Sequence, residues 1–144
     1  MDPGRIVFAG RTKLSEHLAR HALSDLFLDT SPCNAHTTAS DALWAGIPVL
    51  TMPGSTFASR VAASLVKAAG VPDLVVASAH EYEETAVALA NAPEKIADLK
   101  RRLQASRESC LLFDTARTTR RIENAFAEMV RRHHAKIPLE PFVV

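Results

Sequence analysis

The sequence predicts an α/β domain, a parallel sheet flanked by helices, and two observations carry that prediction. Short apolar runs alternate with helical stretches as far as Ser78, and only helical patterns follow it. The first run, Ile6-Val7-Phe8, is short and rich in β-branched residues and leads into Ala9-Gly10-Arg11-Thr12, the pattern of a buried strand turning into a loop. A helix follows from Ser15 to His21, with Ser15 as N-cap before Glu16 and with Leu18 and Leu23 as its apolar pair. It delivers the chain to a second strand, Leu26-Phe27-Leu28. The pattern repeats with a helix from Thr38 to Ala45, a strand at Val49-Leu50-Thr51, a helix from about Phe57 to Ala69 and a strand at Leu74-Val75-Val76. Leu43 and Trp44 are expected in the core, and Gly46-Ile47-Pro48 reads as a helix end followed by entry into a strand.

Beyond Ser78, the segments His80 to Ala90, Pro93 to about Ser109 and about Thr115 to Arg132 read as helices. Pro93 fits a first helical turn, and Asp114 or Thr115 can cap the last helix. In that helix Ile122, Ala125, Phe126, Met129 and Val130 form one apolar stripe, which is expected to pack on the sheet or on a partner surface. The tail from Ile137 to Val144 is apolar and carries two prolines, so it is expected to dock without being helical. Residues 1–144 read as a single domain with no internal repeat. Four short strands make a small sheet beside the roughly five or six of a doubly wound nucleotide-binding domain, so the sequence is expected to be part of a longer protein.

The composition narrows the function classes. A chain of 144 residues that is 47% hydrophobic can bury a core, and its net charge of +1 gives no electrostatic case for nucleic acid or an anionic membrane as main partner. A small molecule or a protein fits better. Cys33 and Cys110 match neither a disulfide framework nor a metal-ligand spacing, which points to a reduced, cytoplasmic setting. No apolar run approaches the roughly 20 residues of a membrane span, and Met1-Asp2-Pro3-Gly4 lacks a signal-peptide pattern.

The most informative stretch links the second strand to the helix at Thr38. Beyond the carboxyl end of a parallel strand, where open α/β sheets bind ligands, His36, Thr37 and Thr38 bring an imidazole, two hydroxyls and free backbone N–H groups to a helix start. A diphosphate fits there, and Asp41, one turn on, suits ribose hydroxyls. Thr38 and Asp41 also read as a Thr-x-x-Asp capping box, which needs no ligand. His17 can stack on a base or donate to an oxygen, with Arg20 adding charge one turn later; a solvated helix face is the simpler account of either residue taken alone. Thr12 and Lys13 stand where a loop can offer a backbone contact to a base and a charge contact. Gly54, within Met52-Pro53-Gly54-Ser55-Thr56 at the same sheet edge, allows close approach to a ligand or marks an ordinary turn. Arg117, Arg120, Arg121, Arg131 and Arg132 form a basic face that solvation explains. No Ser-His-Asp arrangement, carboxylate pair or glycine-rich phosphate loop can be assembled, so no catalytic residue is assigned.

The run from Cys33 through Gly54, continuing over Ala58-Ser59-Arg60-Val61-Ala62-Ala63-Ser64, closely resembles the carboxyl-terminal catalytic lobe of the O-linked N-acetylglucosamine (O-GlcNAc) transferases. The resemblance spans about Arg5 to Ala90 and extends more weakly to Met129. It implies a GT-B glycosyltransferase fold of two Rossmann-like lobes, of which this chain is the carboxyl-terminal half of the donor-binding lobe. It implies transfer of N-acetylglucosamine from UDP-GlcNAc to Ser or Thr hydroxyls of proteins, with inversion, UDP as leaving group and neither metal nor cofactor. By the same resemblance His36, Thr37 and Thr38 hold the diphosphate, Asp41 binds the ribose, His17 stacks on the uracil beside Arg20, and Thr12 meets the base through its backbone. The family's ribose-facing lysine aligns with Leu14, Lys13 standing one position earlier. The phosphate-binding lysine and the proposed base lie outside this sequence, as do the helical repeats that usually precede the lobes, so the isolated chain is expected to be inactive. The alternatives are a protein O-fucosyltransferase using GDP-fucose, against which His36 and Asp41 weigh, a bacterial cytoplasmic glucosyltransferase acting on Asn, and a non-catalytic nucleotide-binding or interaction module.

Overall fold

The computed structural model describes residues 2–143; Met1, where the sequence starts, and Val144, the last residue of the apolar tail, lie outside the described residues. Two strands, β1 (Phe27–Leu28) and β2 (Val49–Leu50), run parallel with Phe27 opposite Val49 and Leu28 opposite Leu50. A parallel bridge between Thr51 and Val75 adds a third segment. The strand expected at Leu74–Val76 is reduced to that bridge because Pro72–Leu74, led by a proline, coil into a 3₁₀ turn immediately before it. The expected first strand is absent. Ile6, Val7 and Phe8 have strand composition, but none belongs to a strand and all are exposed, Phe8 to 93%. A strand exists only by pairing, and no described segment pairs with this one.

Helix α1 (Leu14–Arg20) starts one residue before the expected cap, so Ser15 lies inside it and Lys13 takes the cap position without a side-chain bond. Helix α2 (Thr37–Trp44) packs on β2, and α3 (Val61–Ala68) packs against α2 and the Pro72–Leu74 turn. In α2 the residues Ala39, Ala42 and Leu43 share one face and are buried, as are Ala62, Ala63 and Val66 of α3. Both helices end in the same way. Gly46 and Gly70 take left-handed conformations, φ +83° and +87°. The N–H of Ile47 then reaches the carbonyl of Ala42 (2.8 Å), and that of Val71 the carbonyl of Val66 (3.2 Å). The closing bond sets an apolar residue onto the core at each exit, which bears out the reading of Gly46-Ile47-Pro48.

Trp44 departs from expectation. It follows Leu43 around the helix and is 44% exposed, its ring edge-on to Phe113 at 5.0 Å and under the Arg107 guanidinium at 5.0 Å. Leu89 of α4 (Ala79–Ala90) and Ile96, Leu99 and Leu103 of α5 (Pro93–Ser106) close the core. Each such side chain contributes about 1.5–3 kcal/mol when fully buried.

Helix α6 (Thr115–His134) is capped by Asp114, whose carboxylate accepts the Arg117 N–H at 2.8 Å. Its apolar stripe does not pack on the sheet: Ile122, Phe126, Met129 and Val130 are exposed. Arg131 and Arg132 of the basic face both pair with Glu128. The tail docks locally, onto the end of its own helix. Arg132 pairs with Glu140 at 3.3 Å and lies over the Phe142 ring at 5.0 Å.

Candidate functional site

The loop between β1 and α2 is organised by a buried carboxylate. Asp29 leaves the end of β1 only 8% exposed; its Oδ1 accepts the N–H of Thr30 (2.9 Å) and of Ala35 (2.7 Å), and its Oδ2 the hydroxyl of Thr51 (2.6 Å). Its carbonyl accepts the Tyr82 hydroxyl at 2.9 Å. Burial, and after it the Asp29 charge, push the Tyr82 phenol above its ordinary 10.0, so Tyr82 stays a donor. Asn34 is buried as well: its side-chain nitrogen donates to the Thr30 carbonyl (3.1 Å), while its Oδ1 has no partner among the described residues. Composition and spacing do not mark Asp29, Asn34, Thr51 or Tyr82 for this role. A polar Asp at the end of an apolar run was the available signal for the first.

A second loop, residues 52–60, folds against this one. The Ala58 carbonyl accepts the Asn34 N–H at 2.9 Å and the His36 Nε2–H at 3.4 Å, and the His36 ring lies edge-on to Phe57 at 6.3 Å. Helix α3 starts at Val61 instead of about Phe57 because Ser59 bends the preceding turn: its hydroxyl accepts the Thr56 N–H (3.0 Å) and donates to the Thr56 carbonyl (2.9 Å). Gly54 serves the same turn. A Cβ there would lie 2.7 Å from Ser59 Oγ, so the close approach that requires glycine is to Ser59.

Helix α2 starts at the end of these loops. His36 is in the cap position and makes no side-chain cap bond. Thr37 and Thr38 open the helix and are exposed, and the first N–H groups of a helix have no acceptor within it. The Thr38–Asp41 capping box does not form, because Thr38 lies inside the helix instead of at its cap. Asp41, one turn on, is half-buried. These four residues share one helix end, beyond the carboxyl ends of the parallel strands. It can hold an anion on backbone N–H groups and hydroxyls.

His17 and Arg20 form a separate group on α1. An Arg20 guanidinium nitrogen donates to His17 Nδ1 at 2.9 Å, so that nitrogen accepts and the ring proton sits on Nε2. Arg20 also holds the Gly10 carbonyl at 3.1 Å, tethering the segment that carries Thr12, which is exposed. His21 donates through Nδ1 to the His17 carbonyl and meets the His17 ring edge-on at 4.8 Å. The cavity beside them, about 270 Å³, is lined by Phe27 and Ile47 at the amino-terminal end of the strands. The predicted residues thus fall into two groups, and no hydrogen bond among the described residues joins His17 or Arg20 to α2. Among the described residues, no three His, Cys, Asp or Glu side chains converge as a metal-binding set.

Comparison with known proteins identifies the setting of this site. The model of glycosyl transferase family 41 matches residues 1–122. The chain is 43% identical over 134 residues to the Arabidopsis thaliana probable UDP-N-acetylglucosamine–peptide N-acetylglucosaminyltransferase SEC, covering 92% of this chain and 14% of that protein. It is 39% identical over 140 residues to the Caenorhabditis elegans UDP-N-acetylglucosamine–peptide N-acetylglucosaminyltransferase, covering 97% of this chain and 12% of that protein. A solved O-GlcNAc transferase mutant from Thermobaculum terrenum superposes with a TM-score of 0.77 at 32% identity, covering 82% of this chain and 23% of that one. The chain therefore spans only 14% and 12% of the lengths of these two sequence relatives. Its fold is that of a portion of a Rossmann-like GT-B glycosyltransferase lobe. The chain belongs to glycosyl transferase family 41.

Proposed function

We propose that this chain is the carboxyl-terminal half of the donor-binding lobe of a protein O-GlcNAc transferase, and that the start of α2 holds the diphosphate of UDP-GlcNAc. The observation that carries the reading is the exposed, uncapped helix start at Thr37 and Thr38, set at the carboxyl edge of the sheet by two mutually bonded loops. The relatives' names, which specify UDP-N-acetylglucosamine, support a uridine donor over GDP-fucose.

In the reaction so assigned, a Ser or Thr hydroxyl oxygen of the acceptor protein attacks the anomeric carbon from the face opposite the leaving group. The bond from that carbon to the β-phosphate oxygen breaks, UDP leaves with the electron pair, and the hydroxyl proton passes to a base outside this chain. Charge developing on the diphosphate meets the N–H groups of α2, worth about 0.3–2 kcal/mol for one helix end. The Thr37 and Thr38 hydroxyls add donors, and no metal takes part in this scheme. Asp41 accepts from the ribose; the family resemblance also assigns His17 and the Thr12 backbone to the base, and these form the separate group on and before α1, in which Arg20 leaves the His17 ring proton on Nε2. The reading includes a cytoplasmic setting, supported by two unpaired cysteines, and remaining lobe residues and helical repeats supplied elsewhere in a longer protein. No helix among the described residues is long and apolar enough to cross a membrane.

Calorimetric titration tests the assignment. UDP should bind at least about tenfold more tightly than GDP, and Asp41→Ala and His17→Ala should each weaken UDP by about tenfold, or 1.4 kcal/mol. Unchanged UDP affinity in both variants contradicts the site. The isolated chain should transfer no sugar; detectable transfer contradicts the assignment of the base to residues outside it.

A further inference from the structure

We infer that Asp29 is a positioning residue of the donor site: it fixes the loop that delivers Thr37 and Thr38, and the Thr51 hydroxyl fixes Asp29 in turn. The inference rests on the donor-site reading above. Asp29 is buried and takes part in no ion pair among the described residues, a costly state for a carboxylate unless donors occupy its oxygens. Three donors do so, and they come from distinct places: the next residue, a residue six positions on at the far end of the loop, and the strand end beside it. One carboxylate therefore closes the loop from Thr30 to Ala35 and ties it to the sheet. Ala35 stands two residues before the first turn of α2. Tyr82 adds a tie from α4 to the carbonyl of the same residue.

The sign of the charge separates positioning from ligand attraction. A negative group near a bound diphosphate repels it, so Asp29 serves the ligand through geometry. Asparagine can keep that geometry: its oxygen accepts the two N–H groups, and its amide donates to a Thr51 hydroxyl turned into an acceptor. Alanine leaves both N–H groups unpaired. Thr51→Val removes the hydroxyl at nearly constant shape, and Thr51→Ser keeps it.

The test is UDP titration of the ¹⁵N-labelled chain followed by NMR, with each variant's fold checked by its amide dispersion. Asp29→Ala should weaken UDP by about tenfold or more, Thr51→Val by about threefold, and Asp29→Asn and Thr51→Ser by less than about twofold. Parental affinity in folded Asp29→Ala overturns the inference, as does Asp29→Asn binding as weakly as Asp29→Ala. If Asp29→Ala does not fold, the Thr51 pair decides, and equal affinities of the Val and Ser variants overturn it. A parental chain that gives no response to UDP counts against the donor-site reading itself. Loop positioning is then read without ligand: the Ala35 N–H should exchange faster in Thr51→Val than in Thr51→Ser, and equal rates overturn it.

Discussion

Helices α2 and α6 are both amphipathic, and they are stabilised in opposite ways. In α2 the apolar face meets β2 and α3 and disappears into the core, and the helix start is left to the exposed residues His36, Thr37 and Thr38. In α6 the apolar stripe stays exposed, Phe126 to 62%, and the helix relies on local devices. These are the Asp114 cap, the ion pairs of Glu128 with Arg131 and Arg132, and the tail folded over its last turn. The difference teaches that an apolar stripe states a capacity for burial, whereas burial itself depends on a complementary surface. It also separates the half that carries the proposed donor site, held by contacts distant in sequence, from an arm held by near neighbours.

Core truncation should expose the contrast most strongly. Leu43→Ala should cost about 3 kcal/mol in chemical unfolding, against less than about 0.5 kcal/mol for Phe126→Ala. Similar costs would remove the distinction between the two helices. A smaller effect is expected at the cap of the arm, where Asp114→Ala should lower stability by about 1 kcal/mol and reduce α6 helicity without moving the amide signals of α2. The smallest is electrostatic. The Arg131 hydrogen bond, assisted by Arg132, lowers the Glu128 carboxyl from 4.5 to about 2. A depressed folded-state pKa means that its contribution is complete above 4.5 and is lost as pH falls towards 2. Helicity of α6 should fall slightly across that window in low salt, the effect being small because solvent and salt screen an exposed pair, and it should respond less in Glu128→Gln, which has no carboxyl to titrate.

The parts legible in the sequence are those decided by neighbours along the chain. Helices α4 and α5, the Asp114 cap and the Gly46 exit follow from caps, periodicity and left-handed glycine. The errors fall where a distant partner decides. Ile6-Val7-Phe8 has the composition of a strand without a paired neighbour, and Trp44 yields the core to Leu43 because one helical step turns it outward. At the site, the start of α2 was visible in Thr37 and Thr38, whereas its support was not. Asp29, Thr51 and Tyr82 lie far apart in sequence, and only the parallel pairing of the strands and the packing of α4 bring them together.

The central claim is that the start of α2 is the diphosphate wall of a uridine-nucleotide site. Its most direct test is the map of amide shift changes in the ¹⁵N-labelled chain on addition of UDP, with GDP as control. The account predicts the largest changes at Thr37 and Thr38, followed by Asp41 and His17, and a much weaker response to GDP. Changes confined to another surface, such as the cavity of about 460 Å³ lined by Asp73, Leu89, Leu99 and Arg102, or an equal response to GDP, would contradict it.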